Sequence, residues 1–102
     1  MVTVLRVLDY VNSCYTEKDG EVIFNLVKPF LDRGETVVLS FSGVSLIPSA
    51  FVNAAFIQLL RYFEFDYIRS KLRFVDSNNQ INKMIKLRFD TEVSFKKRLL
   101  NV

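Results

Sequence analysis

Three short runs rich in branched and aromatic residues punctuate the chain at wide intervals. They are Val2-Thr3-Val4-Leu5-Arg6-Val7-Leu8, Thr36-Val37-Val38-Leu39-Ser40-Phe41 and Lys71-Leu72-Arg73-Phe74-Val75. The last two read as strands, and the first could be one. Longer segments lie between them, with apolar residues at helical spacing. Strands alternating with helices imply an α/β domain with a mostly parallel sheet and right-handed crossovers. At 102 residues with half of them hydrophobic, the chain is one domain, 1–102, with enough aromatic mass for a core.

Thr16 to Gly20 reads as a turn and helix entrance, and Glu21 to Leu31 as the first helix. Pro29 lies inside it and should kink it or end it early. Asp32-Arg33-Gly34 is a stop signal. The run at 36–41 puts apolar side chains on both faces, as in an interior strand covered on two sides. Pro48 and Ser49 open a strongly apolar helix over Ala50 to Phe63. A last helix begins near Gln80 with Ile81, Met84 and Ile85 inward, and Asp90-Thr91-Glu92 is a candidate break before Val93 to Leu100. Whether residues 2–11 are strand or helix is open.

There is no histidine, which excludes Ser-His-Asp and Cys-His catalysis and His-ligated zinc. Cys14 is the single cysteine, so neither an intrachain disulfide nor a cysteine metal cluster is available. Asp9, Asp19 and Glu21 have no metal-loop spacing. Three isolated glycines make no phosphate loop. The expectation is a non-enzymatic protein without cofactor or metal. The first residues form neither a signal peptide nor a spanning helix, and the uncharged stretch from Thr36 to Leu60 is broken by serines, Gly43 and Pro48. A cytoplasmic protein without membrane association is expected.

The net charge of +3 is unevenly spread. Residues 68–102 hold Arg69, Lys71, Arg73, Lys83, Lys86, Arg88, Lys96, Lys97 and Arg98 against Asp76, Asp90 and Glu92. Such a basic third, with Lys83, Lys86 and Arg88 at its centre, is either a solvated face or an electrostatic surface for nucleic acid or an acidic protein. No zinc-finger, RRM or KH pattern supports nucleic acid. Tyr62-Phe63-Glu64-Phe65-Asp66-Tyr67 packs four aromatics into six positions, too many to point inward from one helix end. Some of that surface should be exposed or covered by another chain, which makes a homodimer a candidate arrangement.

The most specific stretch is Val37 to Phe56. An apolar strand, Gly43-Val44, and then Ile47-Pro48-Ser49-Ala50-Phe51 opening an apolar helix resemble a STAS-type domain, in particular the bacterial STAS-like domains of unknown function. The resemblance runs from Gly20 to about Arg88. It implies a four- to five-stranded, mostly parallel sheet with helices packed against it. It also implies a regulatory, partner-switching role in signal transduction, in which loop and helix 44–56 bind a protein such as a histidine-kinase-like ATPase or an anti-sigma-type protein. On this reading Val44, Ser45, Pro48, Ser49, Phe51, Asn53 and Phe56 form the partner surface. The anti-anti-sigma motif Asp-Ser-Ser/Thr-Gly falls on Pro48, Ser49, Ala50 and Phe51, so Ser49 alone keeps a hydroxyl. Ser49 is the candidate phospho-switch, or else a helix cap. The alternatives are a nucleic-acid-associated protein using the basic third and a homo-oligomeric structural domain.

Overall fold

The computed structural model describes residues 2–100, with side chains through Phe95. Its strands are β1 (Val2–Arg6), β2 (Thr36–Ser40) and β3 (Leu72–Val75), and its α-helices are α1 (Glu17–Asp32), α2 (Ser49–Ala55), α3 (Phe65–Lys71) and α4 (Asn79–Leu100). Short 3-10 helices cover Val7–Asp9 and Ile57–Arg61. The sheet is entirely parallel, in the order β1-β2-β3, with Val2 beside Thr36 and Val37 beside Leu72. The described residues thus form three strands instead of four or five, because everything between the three β-rich runs folds as helix or loop.

Coverage of the sheet also departs from expectation. Parallel neighbours in register point to the same side. Val37, Leu39 and Phe41 are buried together with Leu72 on the helical side. The opposite side carries Val2, Val4, Val38 and Val75, and there Val2 and Val4 are 62% and 66% exposed. Two successive right-handed crossovers in one direction lay α1 and α2 on the same side. The first β-rich run stops at Arg6 and tightens into the 3-10 turn, which buries Val7.

Helix α1 begins at a reciprocal cap. The Asp19 N–H donates to Thr16 Oγ1 at 3.1 Å, and the Thr16 N–H donates to Asp19 Oδ2 at 3.2 Å. At the other end, the Gly34 N–H reaches the Leu31 carbonyl and the Glu35 N–H reaches the Phe30 carbonyl, with Gly34 at φ 73°. This is the Schellman closure. Pro29 does not shorten the helix, which continues to Asp32. The proline faces solvent in the last turn, and its missing donor strands only the carbonyl of Asn25, which is exposed as well.

The single long helix foreseen over Ala50 to Phe63 is instead α2, then the 3-10 segment, with α3 following as a separate helix. Phe56 leaves helical geometry at φ −123°. Phe51, Phe56 and Leu59 are all buried on either side of that bend. Gln58 Nε2 donates to the Ala54 carbonyl at 2.6 Å where the regular ladder ends. The aromatic cluster is shared out. Tyr62 is 55% exposed and lies beneath Lys28 Nζ, while Phe63 stacks on Tyr67 at 5.3 Å. Tyr67 Oη donates to the Leu31 carbonyl at 2.6 Å and pins α3 to the end of α1. Helix α4 runs without a break through Asp90-Thr91-Glu92. Its i, i+4 pairs Lys86–Asp90 and Arg88–Glu92, each at 2.7 Å, support those turns. Ile81 and Ile85 face inward as expected, with Met84 packed against the core.

Gly20 is where α1 meets α2. A Cβ there would lie 2.6 Å from the Phe51 carbonyl oxygen and 2.7 Å from Ala54 Cβ. Gly20→Ala is therefore expected to destabilise by about 1–3 kcal/mol, measured as a shift of the urea midpoint. A second test concerns acid. Partial burial pushes the Asp19 carboxyl up, but hydrogen bonds from Thr16, Ser13 and Tyr15 outweigh it and hold the group below the ordinary carboxylate range. A depressed folded pKa stabilises above the unfolded value, and that stabilisation is lost as pH falls through the folded one. The stability gap between wild type and Asp19→Asn should be full above roughly pH 5 and close progressively below it.

Candidate functional site

The loop after β2 and the outer side of α2 form the site, and the β3–α4 connection holds them from beneath. Ser40 Oγ, buried at the end of β2, donates to Asp76 Oδ2 at 2.6 Å and accepts the Ser42 N–H at 3.2 Å. Asp76 stands at φ 54°, a conformation that costs a non-glycine residue and that this bond helps to hold. Asn78 Nδ2 donates to the Ser45 carbonyl at 2.8 Å, while its Oδ1 accepts the Ile81 N–H of α4 at 2.9 Å. Gln80 accepts the Ile47 N–H at 2.9 Å through Oε1 and donates Nε2 to the Ile47 carbonyl at 3.0 Å. Ile47 is fully buried beneath this clamp. The loop is thus fixed at both Ser45 and Ile47, and Leu46 between them is 46% exposed.

Of the residues read as a partner surface, Ser45, Ser49 and Asn53 are exposed, and Val44 and Pro48 are half-buried. Phe51 and Phe56 are not on the surface at all. Both are fully buried, edge to face at 6.2 Å, so they shape the site only by supporting α2 from inside. The capping reading of Ser49 also fails. Pro48, extended at φ −85° and ψ 167°, takes the cap position, no side chain bonds there, and Ser49 is the first helical residue. Leu46 and Ala50 belong to the exposed surface and were not foreseen. For Ala50 the signal was present, since it stands three residues before Asn53 on the outer stripe of α2. For Leu46 no periodicity marks it off from Ile47.

At the centre of the basic C-terminal third, two of the three cations are already engaged. Lys86 is paired with Asp90, and Arg88 donates to both Glu92 and Asn53, the latter from Nε at 2.7 Å. Lys83 is exposed. The side chains of Lys96, Lys97 and Arg98 lie outside the described residues. The Arg88–Asn53 bond joins two surfaces that the sequence keeps 35 positions apart. Beside it opens a cleft of about 1020 Å³, lined by Glu17 and Glu21 of α1, Ala50 and Ala54 of α2, and Arg61, Arg88 and Glu92.

Cys14 is buried, and burial, followed by the negative charge of Asp19, pushes its thiol up to about 11. It is therefore protonated at neutral pH and a poor nucleophile. No helix of the described residues is long and apolar enough to cross a membrane.

The family model for the STAS-like domain of unknown function (DUF4325) matches residues 19–82, from the cap of α1 through the clamped loop and α2 into α4. The chain belongs to this family. No curated protein and no solved structure matches it. The matched span of this STAS-like domain takes in Gly20, the loop, α2 and both clamp residues, Asn78 and Gln80.

Removing the clamp tests the geometry. Gln80→Ala should cost about 1–3 kcal/mol, because the Ile47 amide and carbonyl lose their partners. Hydrogen exchange at the Ile47 amide should accelerate, while the Val37 and Leu39 amides in β2 stay protected.

Proposed function

We propose that this STAS-like domain is a non-enzymatic regulatory module that binds a protein partner through the outer side of loop 44–48 and α2. The observation that carries the reading is Leu46, an apolar side chain exposed on a loop whose backbone is bonded on both sides of it, to Asn78 and to Gln80. A loop fixed in advance loses little conformational freedom on binding. Around Leu46 stand Ser45, Ser49, Ala50 and Asn53, small and polar neighbours suited to the rim of an interface. The hydroxyl of Ser49 is exposed at the first helical position and open to modification. A phosphate there would add about two negative charges to the partner-facing side. Ser49 is accordingly the proposed switch, and the family resemblance makes a histidine-kinase-like ATPase the proposed partner class. The protonated thiol of Cys14 and the lack of any histidine support a binding role over a catalytic one.

The test is a pull-down from the native host with wild type, Leu46→Asp and Ser49→Glu side by side. Wild type should retain a specific protein, and both variants should retain it at least roughly tenfold less, as loss of a central contact does. Equal recovery by all three, with unchanged circular dichroism, would remove this surface from partner binding. Loss in Leu46→Asp alone would keep the surface and remove the switch.

A further inference from the structure

A second cavity, of about 200 Å³, lies where α3, β3 and α4 meet, and it shares no residue with the cleft beside α2. Its lining divides by chemistry. Ile68, Leu72, Ile85 and Phe89 are buried and Phe65 and Phe74 half-buried, so its body is apolar. The rings of Phe65 and Phe89, with centroids 5.3 Å apart, join α3 to α4 there. The polar members of the lining, Arg69, Asn82, Lys86 and Asp90, are all exposed. Apolar within and polar where it meets solvent, the cavity has the make-up of a small-molecule site. Its charge is not balanced. Lys86 Nζ holds Asp90 at 2.7 Å, so those two cancel. Arg69 makes no ion pair or hydrogen bond among the described residues, and its guanidinium lies over the Phe65 ring, 5.6 Å from the centroid. Asn82 Oδ1 accepts the Ser77 hydroxyl at 2.7 Å, which leaves its Nδ2 as an unused donor among the described residues.

We propose that this cavity binds a small carboxylate carrying one aromatic ring. Size sets the first limit. An apolar cavity of about 150 Å³ takes up benzene, so this volume suits a single ring with a short carboxylate arm. The lining sets the second. Phe65, Phe74 and Phe89 offer faces and edges on which a ring packs. Arg69 sets the third, because a guanidinium with no carboxylate of its own pairs with an anion through two parallel hydrogen bonds. A neutral ring leaves that charge unused, and a cationic ligand meets it as a like charge. The same charges argue against the side chain of a protein partner as occupant. Interface cores are depleted in charge, whereas Arg69, Lys86 and Asp90 all stand around this cavity. The site is separate from the loop surface proposed above, so its test does not depend on that reading.

Methyl NMR of the purified chain tests the proposal, with phenylacetate, phenylacetamide and acetate as probes. Phenylacetate should move the methyl signals of Ile68, Leu72 and Ile85 and saturate with a Kd of about 1 mM or tighter, an undemanding affinity for a ligand of this size. Phenylacetamide keeps the ring without the charge, and acetate the charge without the ring. Each should bind at least roughly tenfold more weakly than phenylacetate. Arg69→Gln should bring phenylacetate down to the level of the amide. If that variant disturbs the folded spectrum, the three probes on wild type decide alone. No saturable shift up to about 10 mM phenylacetate would overturn the proposal. So would shifts confined to signals away from the cavity, equal affinity for the acid and its amide, or a folded Arg69→Gln chain that binds phenylacetate as wild type does.

Discussion

The approach of α1 to α2 at Gly20 sets the rest of the molecule. With only a hydrogen at that position, the two helices close until the glycine touches the Phe51 carbonyl and Ala54. Both helices then fit on one side of a three-stranded sheet, and Phe51, Phe56 and Phe41 meet beneath them in edge-to-face contacts. The same contact fixes the outer side of α2. Since Phe51, Val52, Ala54 and Ala55 face inward, Ser49, Ala50 and Asn53 are left to face out.

A second set of bonds works across the chain. Asp76 and Asn78 of the β3–α4 connection and Gln80 in the first turn of α4 hold Ser40 at the end of β2 and Ser45 and Ile47 of the β2–α2 connection. Because the strands are parallel, both connections leave from the same end of the sheet, where α/β proteins place their binding loops. The loop is therefore braced by its neighbour and not by its own turn chemistry. Its exposed residues are displayed from a rigid backbone.

Much of this was legible in the sequence. Strands β2 and β3 declared themselves through Val, Leu and Phe, whereas the first run left strand or helix open, and Gly34 marked the end of α1. Ile81 and Ile85 gave the inner face of α4, and the Gly43 to Phe51 stretch gave the family. What was not legible depended on tertiary geometry. The number of strands rested on the resemblance, and no fourth β-rich run exists in the described chain. Helix α3 was hidden because Phe65-Asp66-Tyr67 has no helical apolar period and owes its position to Tyr67 reaching Leu31. The bend at Phe56 was not legible either. Ser49 beside Pro48 read as a cap because serine favours that position, yet the extended proline occupies it. The meeting of Asn53 with Arg88 is a contact that no local pattern announces.

The all-parallel sheet has a consequence for how the chain is made. Val2 pairs with Thr36, so β1 leaves the ribosome well before its one neighbour among the described strands exists. During that interval a valine-rich strand stands with both edges unpaired, the condition in which nascent chains associate wrongly. Contacts this distant in sequence also form slowly, because the intervening loop must close first. The capped helix α1, which needs no distant partner to start, is the element placed to shorten that wait by drawing the two strands together.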